Sequence, residues 1–420
     1  MAHFALICPP FASHLHSASV LGEELVRRGH RATFLLNADT PVETALPVVR
    51  VAGRAGDPPV ARVLANATRP SGLLGTLRTI ADAAKMTDQL CAGGPALLRQ
   101  IGADAIVGDQ LEPAAGLLSR VLGLPQIGLA AALPIDPAPG VVLPFLDWPF
   151  DPSPKGVLYA QRVAMVADLL SRPQYRVIEN WSAQFGIVPP CRTLVDCLSP
   201  QMQFAQVVAG FDFPRPEPVP FVGVGPLRTP AEEAGDHPLP FTFDPTRPLV
   251  FATFGTLQGG RLKRFRQVAD ACRAAGAELL VAHAGQLTAR EAASVGADHV
   301  TDFVPYRAML KRAALCITHG GSNTVLDALA CGVPLLVRPV AFDQQGNLAR
   351  VLHHGLGERL ARRPEAMAAQ VARAIADPAM RERCARLAKE IASAGGRNRA
   401  ADMVETLFKA KHATKRKVIA

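Results

Sequence analysis

The 420-residue sequence has few aromatic residues and no long apolar run, and both deficits exclude classes of protein. Aromatic side chains make up 5% of the chain, so stacking partners for nucleic-acid bases are scarce. Apolar stretches such as "FALIC" and "PLLVRPVAF" are far shorter than the roughly 18 residues of a membrane-spanning helix. Because no basic flank precedes the first apolar run, we interpret it as a strand and not as a signal peptide.

Metal-binding motifs are also lacking. None of the eight cysteines belongs to a CxxC pair or to a His and Cys cluster with metal-ligand spacing. We therefore expect buried free thiols in a reducing cytoplasm and no bound metal, with a zinc site as the disfavoured alternative.

The net charge of +9 does not by itself predict nucleic-acid binding, because most basic residues are arginines scattered along predicted helices. Only the tail "KAKHATKRK" at 409–417 is concentrated. Two interpretations of this tail stay open, a solvated terminus or a segment attracted to an anionic membrane surface.

Strand-like and helix-like patterns alternate in both halves of the chain. The first forty residues read as strand, loop, helix and strand, and residues 101–129 repeat that order. A new series begins at "PLVFATF" and continues through the "GTLQGG" loop, a helix and the strand "AELLVAH". This alternation predicts an α/β fold of two doubly wound parallel-sheet domains that face a cleft.

The length of the chain exceeds the size at which one hydrophobic core stops growing, so two domains are expected. Ten prolines between 213 and 248 predict an interdomain linker. We therefore predict an N-terminal domain at 1–212, a C-terminal domain at 249–395, and a C-terminal helix with the basic tail at 396–420.

Residues 133–154 are too rich in proline for regular structure and too apolar for a solvated linker. Phe145, Trp148 and Phe150 lie close together in this stretch. We interpret it as a loop that shapes an apolar acceptor pocket, with a core-packing loop as the alternative.

The stretch "HGGSNTVLDALACGVPLLVRPVAFDQ" at 319–344 follows a predicted strand with a glycine turn and a helix that begins near Ser322 or Asn323. Free N–H groups and the helix dipole make such an N-terminus an anion site. Asp327 lies one turn along the helix, where a carboxylate could accept sugar hydroxyls. The pattern suits a ligand with a phosphate beside a sugar, and a plain βαβ crossover is the alternative.

A resemblance to the family-one UDP-glycosyltransferases rests on the spacing of His319, Gly321, Asn323, Thr324, Asp327, Asp343 and Gln344. It implies the GT-B fold, in which two Rossmann-like domains flank a cleft. It also implies that His319, Asn323 and Thr324 hold the diphosphate of a UDP-glucose donor. Asp327 would hold the ribose, and Asp343 and Gln344 would hold the hexose hydroxyls.

Residues that precede this signature differ from the family pattern. Phe303 stands where the family has a tryptophan that stacks on uracil, and the Val304 backbone can still pair with a base edge. Gly255 and Thr256 supply a second phosphate-binding turn. A uridine nucleotide is the expectation and a thymidine nucleotide the alternative.

His14 takes the place of the family's catalytic histidine, and we predict that it lies in the loop after the first strand as the general base. Asp109 ends another strand of the same predicted sheet and could reach the other ring nitrogen. A loop histidine and a helix-capping aspartate are the alternatives. No DxD motif is present, which agrees with an inverting, metal-independent enzyme of this family.

Further stretches, including "FALICPPFASHLHS" and "PVAFDQQGNLARVLHHGLGER", resemble those family members that glucosylate hydroxycarotenoids such as zeaxanthin. This implies an apolar acceptor, peripheral contact with the inner face of the plasma membrane, and no nucleic-acid partner. Residues 155–212 match least, so another apolar acceptor such as a macrolide, sterol or lipid stays open. A different class is a GT-B protein that does not transfer sugar, such as a UDP-sugar epimerase or binder.

Overall fold

The computed structural model describes residues 1–53, 56–68, 72–258 and 260–419, without the side chains at 68, 72–73, 257–258 and 409–419. The basic tail predicted at 409–417 is therefore described only as helical backbone. The membrane contact proposed for this tail would involve side chains that the structure does not describe.

The first sheet has seven parallel strands in the order β3-β2-β1-β4-β5-β6-β7. Its strands are β1 His3–Ile7, β2 Arg31–Leu36, β3 Val48–Arg50, β4 Ala105–Asp109, β5 Gln126–Ala130, β6 Gln203–Ala205 and β7 Val222–Gly223. The helices of this half are α1 Ala12–Arg27, α2 Val60–Thr68, α3 Gly72–Ile101, α4 Ala114–Leu122, α5 Pro154–Leu170, α6 Arg172–Gln184 and α7 Pro230–Ala234. Buried apolar strands such as "HFALI" have both faces covered by helices, as parallel sheets require.

The second sheet has six parallel strands in the order β10-β9-β8-β11-β12-β13. Its strands are β8 Leu249–Thr253, β9 Glu278–Ala282, β10 His299–Thr301, β11 Leu315–Thr318, β12 Leu335–Val337 and β13 Gly357–Arg359. The helices are α8 Gly255–Gln258, α9 Leu262–Ala274, α10 Ala289–Ala293, α11 Tyr306–Leu310, α12 Ser322–Ala330, α13 Gln344–His353, α14 Pro364–Ala376, α15 Pro378–Ser393 and α16 Gly396–Ile419. The predicted α/β class with two doubly wound parallel sheets is confirmed.

The prediction for the first helix was wrong at its start. His14 lies in the first turn of α1 and not in the preceding loop, because the helix begins at Ala12. The N-cap residue Phe11 makes no side-chain cap hydrogen bond, so the sequence carried no capping signal at this position.

Two long-range connections join the halves of the chain. The stretch 213–248, predicted as a linker, places β7 at the edge of the first sheet beside β6. The C-terminal helix α16 returns to the N-terminal half, where Ala400, Ala401 and Val404 are buried in one cluster with Phe4 and Leu21.

Candidate active site

His14 and Asp109 lie at the carboxyl edge of the first sheet. Strands β1 and β4 are parallel neighbours, so the start of α1 and the end of β4 meet at one edge. Nδ1 of His14 is 2.8 Å from Oδ2 of Asp109, and both side chains are buried. The other carboxylate oxygen of Asp109 accepts a hydrogen bond from the Leu111 backbone at 2.8 Å. The carboxylate is therefore fixed, and it orients the imidazole with Nε2 directed away from the pair.

The electrostatics of this pair favour a basic imidazole. Burial opposes protonation of His14, but the charge and hydrogen bond of Asp109 outweigh it, so the pKa of His14 is raised. A smaller contribution comes from Asp343, which belongs to the other half of the chain. Phe11 and Phe342 also approach each other here, with ring centroids 6.1 Å apart. The site is therefore built by both domains at their cleft.

A third carboxyl group lies behind the pair. Glu112 is buried, and its backbone N–H donates to the Asp109 carbonyl at 3.1 Å. Its Oε1 accepts hydrogen bonds from the Thr87 hydroxyl at 2.8 Å and from the Ala114 backbone at 3.1 Å. Burial raises the pKa of Glu112 to about 7, with the Asp109 charge adding to the shift.

His319 follows β11 in the second sheet and depends on two glycines for space. A Cβ atom at Gly255, whose φ is +71°, would lie 2.6 Å from Cε1 of His319. A Cβ atom at Gly321 would lie 2.6 Å from Nε2 of the same ring. Burial, together with the nearby charge of Arg261, lowers the pKa of His319 to about 4. The imidazole is therefore neutral near pH 7 and can donate one N–H.

The N-terminus of α12 has no side-chain cap. Its N-cap is Gly321, so the first-turn N–H groups remain for a ligand. Oδ1 of Asn323 is buried without a hydrogen-bond partner in the described part of the chain. Thr324 is buried in the same turn. The backbone N–H groups at this end of the helix, with the N–H of His319 beside them, are the donors that an anion needs, whereas the Asn323 oxygen can only accept.

Asp343 and Gln344 lie at the start of α13, after a strained residue. Phe342 has a φ of +57°, which is unusual for a residue with a side chain. Oδ2 of Asp343 accepts a hydrogen bond from the Ser322 hydroxyl at 2.6 Å. Oε1 of Gln344 accepts from the backbones of Val340 and Ala341, at 2.7 and 2.9 Å. The Gln344 carbonyl is thus engaged within its own loop, and its amide N–H groups are left to bind other groups.

Asp327 has a partner that the sequence did not indicate. Nε of Arg228 donates to its Oδ1 at 2.9 Å, and both side chains are buried. Arg228 comes from the stretch predicted as a linker. The carboxylate predicted to hold a ribose is therefore also one half of a buried ion pair between α12 and this stretch.

Phe303 and Thr256 lie at the carboxyl edge of the second sheet, after strands β10 and β8. Phe303 follows β10 and exposes 66% of its surface, while Val304 is buried beside it. The Phe303 ring lies 3.9 Å from where a Cβ of Gly285 would stand. Thr256 is exposed in the short helix α8, which begins at Gly255. An exposed ring above a glycine can act as a platform for a base.

The three predicted acceptor aromatics do not form one cluster. The stretch 133–154 is irregular, as predicted, but Trp148 stacks on Tyr159 of α5, with ring centroids 4.1 Å apart. Phe150 stacks on Phe213 at 5.3 Å and meets the edge of His353. Phe145 is 48% exposed. Trp148 and Phe150 thus stack on different partners, and a shared role of the three rings at an acceptor pocket stays a prediction.

The sequence did not predict that three arginine side chains of the C-terminal half lie near one another. Nη1 of Arg264 in α9 is buried without a hydrogen-bond partner in the described part of the chain. Burial lowers the pKa of Arg264 to about 10, and the charges of Arg261 and Arg338 add to the effect. Arginines scattered along a helix gave no signal that these three would converge.

Three further observations concern the described residues alone. No group of three or more His, Cys, Asp or Glu among them is arranged to hold a metal ion. None of their helices combines the length and apolarity needed to cross a bilayer. All eight cysteines are free thiols, and all but the half-buried Cys331 are buried, as expected.

The chain is similar to known proteins over both halves. A family model described as "Erythromycin biosynthesis protein CIII-like, C-terminal domain" matches residues 266–407. The chain is 38% identical over 414 residues to the zeaxanthin glucosyltransferase of Pseudescherichia vulneris, covering 96% of this chain and 98% of that protein. It is 37% identical over 418 residues to the zeaxanthin glucosyltransferase of Pantoea ananas, covering 97% and 96%.

The fold has a counterpart among solved structures. The crystal structure of the glycotransferase of kitacinnamycin superposes with a TM-score of 0.74 at 22% identity, covering 97% of this chain and 99% of that one. This likeness shows the fold, and it confirms the predicted GT-B arrangement of two Rossmann-like domains.

Proposed function

The chain belongs to the glycosyltransferase family of the zeaxanthin glucosyltransferases, and on that premise we propose that it transfers glucose from UDP-glucose to the hydroxyl of a hydroxycarotenoid such as zeaxanthin. The observation that carries the proposal is the buried His14 and Asp109 pair, which lies across the cleft from Asp343 and the uncapped start of α12. A base on one domain thus opposes an anion site on the other.

The proposed reaction is a single displacement. Nε2 of His14 takes the proton of the acceptor hydroxyl, whose oxygen attacks the anomeric carbon of glucose as the bond to the diphosphate oxygen breaks. Asp109 holds Nδ1–H and stabilises the imidazolium that forms. Attack opposite the leaving group inverts the α-linked donor to a β-glucoside.

The leaving UDP gains negative charge during this step. We propose that the N–H groups at the start of α12, the neutral His319 and the Thr256 hydroxyl donate to it, supported by the uncapped helix start and the lowered pKa of His319. We propose that these donors suffice without a metal ion. The ring of Phe303 would stack on uracil, and Asp343 with the amide of Gln344 would bind glucose hydroxyls.

The proposed acceptor follows from the two relatives that align with nearly the whole chain. The N-terminal half carries His14, and the two zeaxanthin glucosyltransferases align with 96% and 97% of this chain. A carotenoid dissolves in the bilayer, so the enzyme would work at the cytoplasmic membrane surface without crossing it. The match of residues 266–407 to a model named for erythromycin biosynthesis favours, as the second candidate, transfer to another apolar acceptor such as a macrolide.

A panel of donors and acceptors tests this function. The purified chain is incubated with UDP-glucose or TDP-glucose and with zeaxanthin, a sterol or a macrolide in detergent micelles, and products are identified by mass. We expect the zeaxanthin glucoside to form fastest, with UDP-glucose. Faster glucosylation of the macrolide would support the second candidate, and hydrolysis or epimerisation without transfer would reject both.

A further inference from the structure

Helix α5 exposes apolar side chains where a helix on a protein surface ordinarily carries polar ones. Leu158, Met165, Val166 and Leu169 expose 48%, 70%, 60% and 64% of their surface. Gly156 is the only residue of α5 that is buried. The helix therefore covers little of the core, and its apolar residues are not explained by packing within the described part of the chain.

The spacing of these residues gathers them on one side of the helix. At about 100° per residue, Leu158, Met165 and Leu169 fall within an arc of roughly 40°, and Val166 lies on its flank. Arg162 falls at the edge of the same arc. We name the surface formed by Leu158, Met165, Val166 and Leu169 the α5 face.

Exposed aromatic residues extend this surface. Trp148 stacks on Tyr159, which lies two turns before Val166 along the same flank of α5. Trp148 itself remains 42% exposed. Tryptophan is a residue type that favours the interface between headgroups and acyl chains.

At the same helical spacing, Lys155 and Arg162 lie on one flank of the α5 face and Asp168 lies on the other. Arg162 and Arg172 have no ion-pair partner in the described part of the chain, whereas Asp147 pairs with Arg359. Asp168 accepts a hydrogen bond from the Tyr175 hydroxyl at 2.9 Å. Asp168 keeps its charge in this contact, so along 154–172 the basic side chains Lys155, Arg162 and Arg172 outnumber the one carboxylate, Asp168.

We propose that the α5 face, with Trp148, docks the enzyme on the surface of an anionic lipid bilayer. The apolar side chains enter the acyl boundary, and Arg162 and Arg172 meet lipid phosphates at headgroup level. A second copy of the chain is the alternative occupant, and the vesicle experiment below distinguishes the two. The inference rests on the proposed function, since a bilayer would hold the apolar acceptor.

The test uses the full chain and two double variants. Met165→Glu/Leu169→Glu places two charges on the α5 face, where neither side chain packs in the core. Val26→Glu/Leu352→Glu is the matched control, since Val26 and Leu352 are 43% and 44% exposed on other helices. Circular dichroism establishes that both variants fold. Flotation then measures binding to vesicles of phosphatidylcholine, with or without an equal amount of phosphatidylglycerol.

We expect wild type to float with the anionic vesicles, the α5-face variant to bind about tenfold more weakly, and the control to match wild type. Zeaxanthin conversion in vesicles should fall with binding, while conversion in detergent micelles stays unchanged. Equal flotation of all three proteins would overturn the proposal, as would a wild-type dimer that the α5-face variant dissociates. Failure of the proposed function gives a different result, which is no zeaxanthin product from wild type even in micelles.

Discussion

Nδ1 of His14 lies 2.8 Å from Oδ2 of Asp109, although 95 residues separate the two in sequence. Parallel pairing of β1 with β4 produces this contact, because the carboxyl ends of neighbouring parallel strands share an edge. The contact gives a buried imidazole one fixed nitrogen and one that can accept a proton.

Replacing His14 with Ala should lower turnover by about 100- to 10,000-fold, the usual loss when a general base is removed. UDP affinity should stay near wild type, because the predicted nucleotide site lies on the other domain. Steady-state kinetics and calorimetry with UDP measure the two effects. More than roughly a tenth of wild-type turnover at saturating substrate would contradict the role of His14.

The pH profile separates Asp109 from a purely structural residue. The pKa of His14 is raised by Asp109 against the opposing effect of burial, and the base form exists only above that pKa. In wild type, kcat/KM should therefore rise as pH increases through it. Asp109→Asn removes the charge and lowers the pKa, so the acidic limb should move to lower pH while the maximum falls. An acidic limb at the wild-type position would show that Asp109 does not set this pKa.

Asp343 and His319 should differ in the ligand that they affect. Asp343→Ala should weaken UDP-glucose binding more than UDP binding, because the side chain is assigned to glucose hydroxyls. His319→Ala should weaken both ligands, because the ring is assigned to the diphosphate. Calorimetry with each ligand distinguishes them, and equal losses for UDP and UDP-glucose in the Asp343 variant would reject the sugar assignment.

Phe303 should contribute to nucleotide affinity through stacking. Phe303→Ala is expected to weaken UDP binding by about 1–3 kcal/mol, the range found when an aromatic partner of a base is removed. Phe303→Trp restores the family residue and should bind UDP at least as well as wild type. Phe145→Ala, another exposed phenylalanine, serves as control. An unchanged dissociation constant for Phe303→Ala would place the base elsewhere.

Glu112 should make the folded state sensitive to pH near neutrality. Its pKa is raised to about 7 by burial, above the value near 4.3 of an unfolded glutamate. A group of this kind favours the folded state fully below its unfolded pKa, and that contribution is lost as pH rises through the folded pKa. The Glu112→Gln variant keeps a side-chain oxygen that can accept both hydrogen bonds, and its amide does not titrate.

Urea unfolding at pH 5 and pH 8.5 tests this expectation. Glu112→Gln should be more stable than wild type at pH 8.5, by on the order of 1–3 kcal/mol, with a smaller difference at pH 5. Glu43→Gln, the same substitution at an exposed position, should follow wild type at both values. The same difference at both pH values for Glu112→Gln would contradict a buried titrating carboxyl group.

Local patterns in the sequence were sufficient for the strand and helix order in the first forty residues, at 101–129 and at the start of the second sheet, and for the position of Asp109 at a strand end. Hydrophobic periodicity and glycine turns report on neighbours along the chain, and the parallel arrangement follows from alternation. The start of α1 was misplaced because Phe11 carries no capping side chain.

Contacts between distant segments could not be predicted. The ion pair between Arg228 and Asp327 joins a proline-rich stretch to α12. No periodic pattern in the sequence indicates that these two residues pair. Trp148 and Phe150 are two residues apart, yet they stack on Tyr159 and Phe213 respectively. Such packing is set by the tertiary structure, which local patterns do not encode.

The most direct test of the central claim is the structure of the product formed from UDP-glucose and zeaxanthin. Nuclear magnetic resonance of the purified glucoside reports the configuration of its anomeric carbon, with His14→Ala as the control without product. We predict a β-glucoside on a terminal ring hydroxyl. An α-glucoside would contradict the single displacement, and absence of any zeaxanthin glucoside from the folded wild-type enzyme would contradict the proposed acceptor.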